Sequence, residues 1–127
     1  MLEIKKMKID DKEYVMKCSL LTVESFEKIS GKKFGSVISS FVNLGNITDD
    51  ESISEDERNN MMFDYLFSIQ SDVSRLAYCM IMEAKRDGYN SDFNCSLEDW
   101  LSSIGRIDID TLKGVLAVAM SVFPRKV

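Results

Sequence analysis

The sequence predicts an α+β fold, mostly α: an N-terminal β-hairpin followed by five or six helices in a single small domain. Three observations carry that expectation. Apolar and polar residues alternate on the two sides of Asp10-Asp11, the period of paired strands. From residue 19 onward the apolar spacing becomes helical, in stretches opened by cap residues or closed by glycines. Pro124 is the single proline, which permits long helices and argues against a β-sandwich rich in proline turns.

The hairpin is expected over residues 1–18. Leu2, Ile4, Met7 and Ile9 supply the first strand, Asp10-Asp11 the two-residue turn, and Tyr14, Met16 and Cys18 alternate with Glu13, Val15 and Lys17 on the return. An isolated two-stranded hairpin is marginal in water, so it should lean on the first helix or pair with another copy. The helical part spans 19–127. Thr22 is read as the cap of a first helix carrying Val23, Phe26 and Ile29 and stopping at Gly31. Val37, Ile38, Phe41, Val42 and Leu44 then mark a helix over 34–44, with Gly45 as its stop. Residues 46–56 hold Asp49, Asp50, Glu51, Glu55 and Asp56 and read as an acidic surface loop, more a solvated face than a ligand site.

Ser54 and Glu57 form a capping box for a helix from about Glu55 towards Arg86, with a break expected between Gln70 and Asp72. Its first part, Met61 to Ile69, is interrupted only by Asp64 and Ser68. A segment apolar on nearly every side must be covered, by this core or by a partner. The second part, Val73, Leu76, Ala77, Met80, Ile81 and Ala84, is amphipathic, with Arg75, Glu83 and Arg86 outside and Gly88 as the stop. Ser96 with Asp99 opens a short helix through Leu97, Trp100, Leu101 and Ile104 to Gly105. Asp108 or Asp110 caps a last helix carrying Ile109, Leu112, Val115, Leu116, Ala119, Val122 and Phe123.

Composition bounds the function. The formal charge of −5 opposes nucleic-acid binding, and the short runs Lys5 to Lys8 and Lys32-Lys33 do not reverse it. No stretch approaches the roughly 20 apolar residues of a membrane span, and Glu3, Lys5 and Lys6 interrupt any signal-peptide core. Cys18, Cys79 and Cys95 are odd in number, widely spaced and without a histidine anywhere, so reduced thiols of a cytoplasmic protein are expected, with no metal site.

The chain is read as a non-enzyme with no catalytic residue and no cofactor. It has no histidine base, no nucleotide loop and no nucleophile elbow. Glu98-Asp99 and Asp108/Asp110 sit at helix starts, where capping accounts for them, and Trp100 is expected to pack inward. The eight methionines fill core gaps individually, yet the density at Met61-Met62-Phe63 marks a surface that an assembly would cover. Met61, Met62, Phe63, Leu66 and Phe67 are therefore the candidate partner-binding residues, and a homo-oligomer partly built on that helix is expected.

The run Ile9-Asp10-Asp11-Lys12-Glu13-Tyr14, followed by Phe26-Glu27-Lys28-Ile29-Ser30-Gly31-Lys32-Lys33-Phe34, resembles the opening of the tail assembly chaperones of long-tailed (siphovirus-type) bacteriophages and prophages. Those proteins begin with a strand, a Gly- or Asp-containing turn before Lys-Glu-Tyr, a return strand and a helix ending in Thr/Ser-Gly-Lys. The resemblance implies a non-enzymatic chaperone that binds and solubilises the helical tape-measure protein during tail morphogenesis. It would be displaced when the major tail protein polymerises, would act in the host cytoplasm, and would be absent from the mature virion. It also implies that a ribosomal frameshift could extend this short form. The alternative reading is a small acidic regulatory or inhibitor protein acting by protein–protein binding, and a third is an adaptor unrelated to phage.

Overall fold

A two-stranded antiparallel sheet opens the computed structural model, which describes residues 4–49, 51–105 and 107–122. Leu2, Asp50, Phe123 and Pro124 lie outside the described residues, as do the side chains of residues 42, 44–49, 62, 65, 66, 68 and 109. Strands β1 (Ile4–Ile9) and β2 (Lys12–Lys17) pair with Met7 opposite Tyr14 and Ile9 opposite Lys12. Asp10 and Asp11 both take left-handed φ, 51° and 66°, the conformation of the tight hairpin turn whose twist matches the strands. Met7, Ile9, Met16 and Cys18 are buried and Ile4 is exposed, so one face of the ribbon meets the core.

Five helices follow among the described residues: α1 (Leu20–Ser30), α2 (Phe34–Asp49), α3 (Glu55–Arg86), α4 (Leu97–Ser103) and α5 (Ile109–Met120). The fold is α+β and mostly α. Helix α3 is the spine, touching β2 and every other helix, while α5 lies under β1. The hairpin thus leans on α3 and α5, where the sequence predicts support from α1 or from another copy. At the crossing with α5, a Cβ added at Gly114 would sit 3.1 Å from Met7 Cε, so the bare backbone lets β1 approach closely.

Four local expectations change. Ser19, not Thr22, is the cap of α1. Its Oγ accepts from Thr22 N while Thr22 Oγ1 accepts from Ser19 N, so Thr22 is the buried second half of a capping box. Helix α2 runs through Gly45 to Asp49, which leaves the acidic loop much shorter than 46–56. A mid-helix glycine costs about 1 kcal/mol relative to alanine, and packing of α2 along α3 offsets a penalty of that size. Helix α3 is unbroken through Gln70 and Asp72, because both polar side chains find tertiary partners: Asp72 pairs with Lys32 at 2.8 Å and Gln70 bonds the Ile107 backbone. The short helix α4 ends at Ser103, ahead of Gly105, and the Gly105 N–H donates to Asp10 Oδ2 at 2.8 Å. Asp10 therefore anchors the hairpin tip as well as forming its turn.

Other boundaries fall where the residues place them. Gly31 closes α1 in the left-handed region at φ 70°, and Gly88 follows α3 at φ 95°. Ser54, Ser96 and Asp108 each accept a backbone N–H at the starts of α3, α4 and α5. Thr111 N–H holds the Asp108 carboxyl below its usual range, and the acidic first turn of α3 complements that helix's dipole.

The outer edge of β2 is closed by one side chain. Asn90 Oδ1 accepts from Val15 N at 2.9 Å, and its Nδ2 donates to Val15 O at 2.8 Å and to Ile81 O at 3.1 Å. A carboxamide presents the same donor and acceptor pair as a peptide unit, so Asn90 stands in for a third strand at one residue. It does so from φ 51°, which asparagine tolerates better than most residues. Asn90→Gly keeps that backbone and loses the three bonds, and is expected to cost about 1–3 kcal/mol in urea unfolding. Asn90→Ala should cost about 1 kcal/mol more, for the left-handed φ. Equal stability of Asn90→Gly and the parent chain would refute the clasp.

Candidate functional site

Helix α3 is covered unevenly. Val73, Leu76, Ala77, Met80, Ile81 and Ala84 are fully buried by the hairpin and the other helices, whereas the first half leaves large apolar groups in water. Phe63 is 55% exposed and Phe67 74%, and they lie one turn apart on the same face. Of the partner-binding candidates, Met61 is also exposed, at 38%, while the side chains of Met62 and Leu66 lie outside the described residues. The exposed Met61, Phe63 and Phe67 thus belong to the most uniformly apolar segment of the sequence.

A second wall comes from α4, and Trp100 sets its position. The indole is 3% exposed, packed inward as expected, edge-on to Tyr14 at 5.4 Å and Phe93 at 5.6 Å, with Tyr78 alongside. Its Nε1 donates to Ser74 O at 2.9 Å, tying α4 to the middle of α3. Leu101 and Ile104 are thereby held opposite Phe63 and Phe67, and the space between is a groove of about 460 Å³. That is the size of a ligand or helix-binding cleft.

The polar groups of the groove are largely engaged. Gln70 Nε2 donates to Ile107 O at 2.9 Å and Gln70 Oε1 accepts from Ile107 N at 3.0 Å, a second carboxamide clasp on one residue of irregular backbone. Ser71 Oγ accepts from Arg75 Nη1, and Gly105 N is taken by Asp10. Arg75 is the only charged residue lining the groove among the described residues. A smaller depression of about 290 Å³ lies between α1 and the far half of α3, walled by Leu21, Ile29, Met82 and Leu97.

Sequence reasoning found Phe63 and Phe67 through the density of large apolar residues around them. It missed Leu101, Ile104 and Arg75 as their companions, since the sequence places them only as the stripe of a short helix and the outer face of a long one. The sequence carries no signal that aligns α4 with α3 at this register, because a tertiary bond from Trp100 sets it.

Among the described residues no group of three or more Cys, Asp or Glu converges as a metal site, and no helix is long and apolar enough to cross a membrane. No protein-family model, curated protein or solved structure matches the chain.

Cys18, Cys79 and Cys95 are free thiols. Burial pushes Cys18 up to about 12 and Cys79 to about 11, and Cys95, half-buried, is raised in the same direction. Alkylation of the folded chain at mildly alkaline pH should therefore modify Cys95 first, with Cys18 and Cys79 reacting only on unfolding, as read by peptide mass spectrometry. The two buried thiols stay protonated above 9.0, where unfolded thiols ionise. Their contribution to stability is complete below that pH and declines as pH rises towards the folded values. Rapid native labelling of Cys18 would contradict this packing.

Proposed function

We propose that the chain is a non-enzymatic binding protein that covers apolar helix faces of a partner, and that it does so as a tail assembly chaperone for a tape-measure protein. The observation that carries the reading is the pair Phe63 and Phe67, exposed on α3 and faced by Leu101 and Ile104 across an open groove. Two aromatic rings left in water one turn apart are the receptor half of a helix-in-groove contact, whose ligand supplies apolar anchors at i, i+3, i+4 and i+7. The likeness of residues 9–34 to the opening of the phage chaperones points to the long helical tape-measure protein as that ligand. The acidic surface keeps such complexes soluble in the host cytoplasm, and the mature virion no longer contains the chaperone. A homo-oligomer built on the same face would compete with the partner.

Each groove contact is weak, and repetition along one long partner supplies the strength. Binding by apolar burial tolerates salt, whereas a complex held mainly by charge weakens as screening grows.

Co-expression tests the reading. A tape-measure protein from the same gene cluster should aggregate alone and become soluble when this chain is made with it. Phe67→Glu, at an exposed position where the fold does not depend on the ring, should abolish the rescue. Glu51→Lys, on the exposed turn before α3, should leave it intact. A tape-measure protein that stays insoluble with both proteins well expressed would refute the assignment and favour an inhibitor of another target.

A further inference from the structure

We propose that the groove between α3 and α4 selects an amphipathic helix that carries a carboxylate beside its apolar stripe, with Arg75 as the receptor of that carboxylate. The proposal rests on the groove being a docking face, and adds the chemistry of what docks.

The chain is acidic, with 21 Asp and Glu against 16 Lys and Arg, yet the one charge on the groove wall among the described residues is a cation. Three other basic side chains meet acids, Lys17 with Asp87, Lys32 with Asp72 and Arg86 with Glu83, and Lys85 is taken up by the Phe93 carbonyl and the Asn94 side chain. Arg75 has no ion pair among the described residues. Its one hydrogen bond goes to the neutral Ser71 hydroxyl, which leaves most of its five N–H groups for a ligand. Gln70 and Gly105 are bonded to Ile107 and Asp10, and Ser71 and Ser74 on the same wall are neutral, so a carboxylate entering the groove finds its charge partner in Arg75.

The placement of the guanidinium sets the spacing. Reaching back to Ser71, it stands one turn from Phe67, about 6 Å along the helix axis. A ligand helix with apolar anchors over Phe63 and Phe67 brings a carboxylate to Arg75 when that carboxylate lies one turn beyond the last anchor. The planar guanidinium then takes both carboxylate oxygens, a geometry that fixes the register and direction of the bound helix. A small organic acid fits less well, because ligands of that kind are usually enclosed over most of their surface and Phe67 leaves this wall open.

The experiment uses three synthetic peptides of about 18 residues, long enough for appreciable helix. They share one apolar stripe and differ only in a Glu, Gln or Lys one turn beyond it. Binding is read by fluorescence anisotropy against the full chain and against Arg75→Gln, Arg75→Glu and Phe67→Glu. The Glu peptide should bind the parent chain about tenfold more tightly than the Gln peptide, in keeping with a charge-assisted contact, and the Lys peptide should bind weakest. Arg75→Gln should erase the difference and Arg75→Glu should invert it, while Phe67→Glu weakens all three. Equal binding of the three peptides, still lost in Phe67→Glu, would overturn the role of Arg75 and leave the docking face standing. Binding of none would overturn both. A dimer in sedimentation that Arg75→Glu dissociates, with no charge preference among the peptides, would assign the cation to a second copy of this chain and overturn the proposal. The peptide series on the parent chain decides the matter even if a variant fails to fold.

Discussion

From Ile69 to Ala84, helix α3 carries buried side chains on almost every side, including Asp72, Ser74 and Cys79 beside the aliphatic residues. A helix of that kind is stable in water only when other elements enclose it. The enclosure determines the rest of the architecture. A two-stranded ribbon covers one side, α1 and α2 another, and α4 and α5 the remainder, so each of these is marginal alone and stable against the spine. The burial of Met16, Phe26, Leu76, Met80 and Leu112 in one cluster is the energetic expression of that arrangement.

Enclosing one helix with so few strands leaves backbone groups that no ladder can satisfy, and the molecule meets the problem twice with the same device. Asn90 bonds both the N–H and the C=O of Val15, and Gln70 does the same for Ile107. Asn90 replaces the peptide of an absent third strand beside β2, and Gln70 pairs the peptide groups of one irregular residue before α5. The clasps also fix geometry at a distance: Asn90 locks the loop after α3 to β2, and Gln70 locks the segment before α5 to the middle of α3. Together with the Asp10–Gly105 bond and the Trp100–Ser74 bond, they place α4 beside the first half of α3. The groove is therefore a product of the core's polar bookkeeping.

Much of the fold is legible in the sequence because its signals are local. The alternation around Asp10-Asp11 gives the hairpin, Gly31 and Gly88 give two helix ends, and Ser54, Ser96 and Asp108 give three starts. The failures occur where a local signal competes with packing. Gly45 reads as a stop and Gln70 to Asp72 as a break, yet the helices continue through both, since contacts distant in sequence offset the local cost. Asn90 reads as an ordinary loop residue, and the strand edge it completes lies 75 positions away. The site divides in the same way. Phe63 and Phe67 stand out by composition, but an apolar segment does not reveal which of its sides remains open, and Arg75, Leu101 and Ile104 join them only through the tertiary placement of α4.

The uneven cover of α3 also explains why exposure falls on its first half. The tertiary bonds fix their elements at or beyond the middle of α3: α4 through Trp100 and Ser74, the segment before α5 through the Gln70 clasp, and β2 through Asn90 in the loop after α3. Swinging α4 forward over the two rings would break the indole bond to Ser74 and pull Trp100 out of its aromatic cluster with Tyr14, Tyr78 and Phe93. Leaving two aromatic rings in water carries a standing cost of a few kcal/mol by area, which a surface placed over them would recover. On the proposed reading that recovery is the drive for binding, and it lies on a face where the exposed rings, the opposing Leu101 and Ile104, and Arg75 meet, a cation with no ion pair among the described residues.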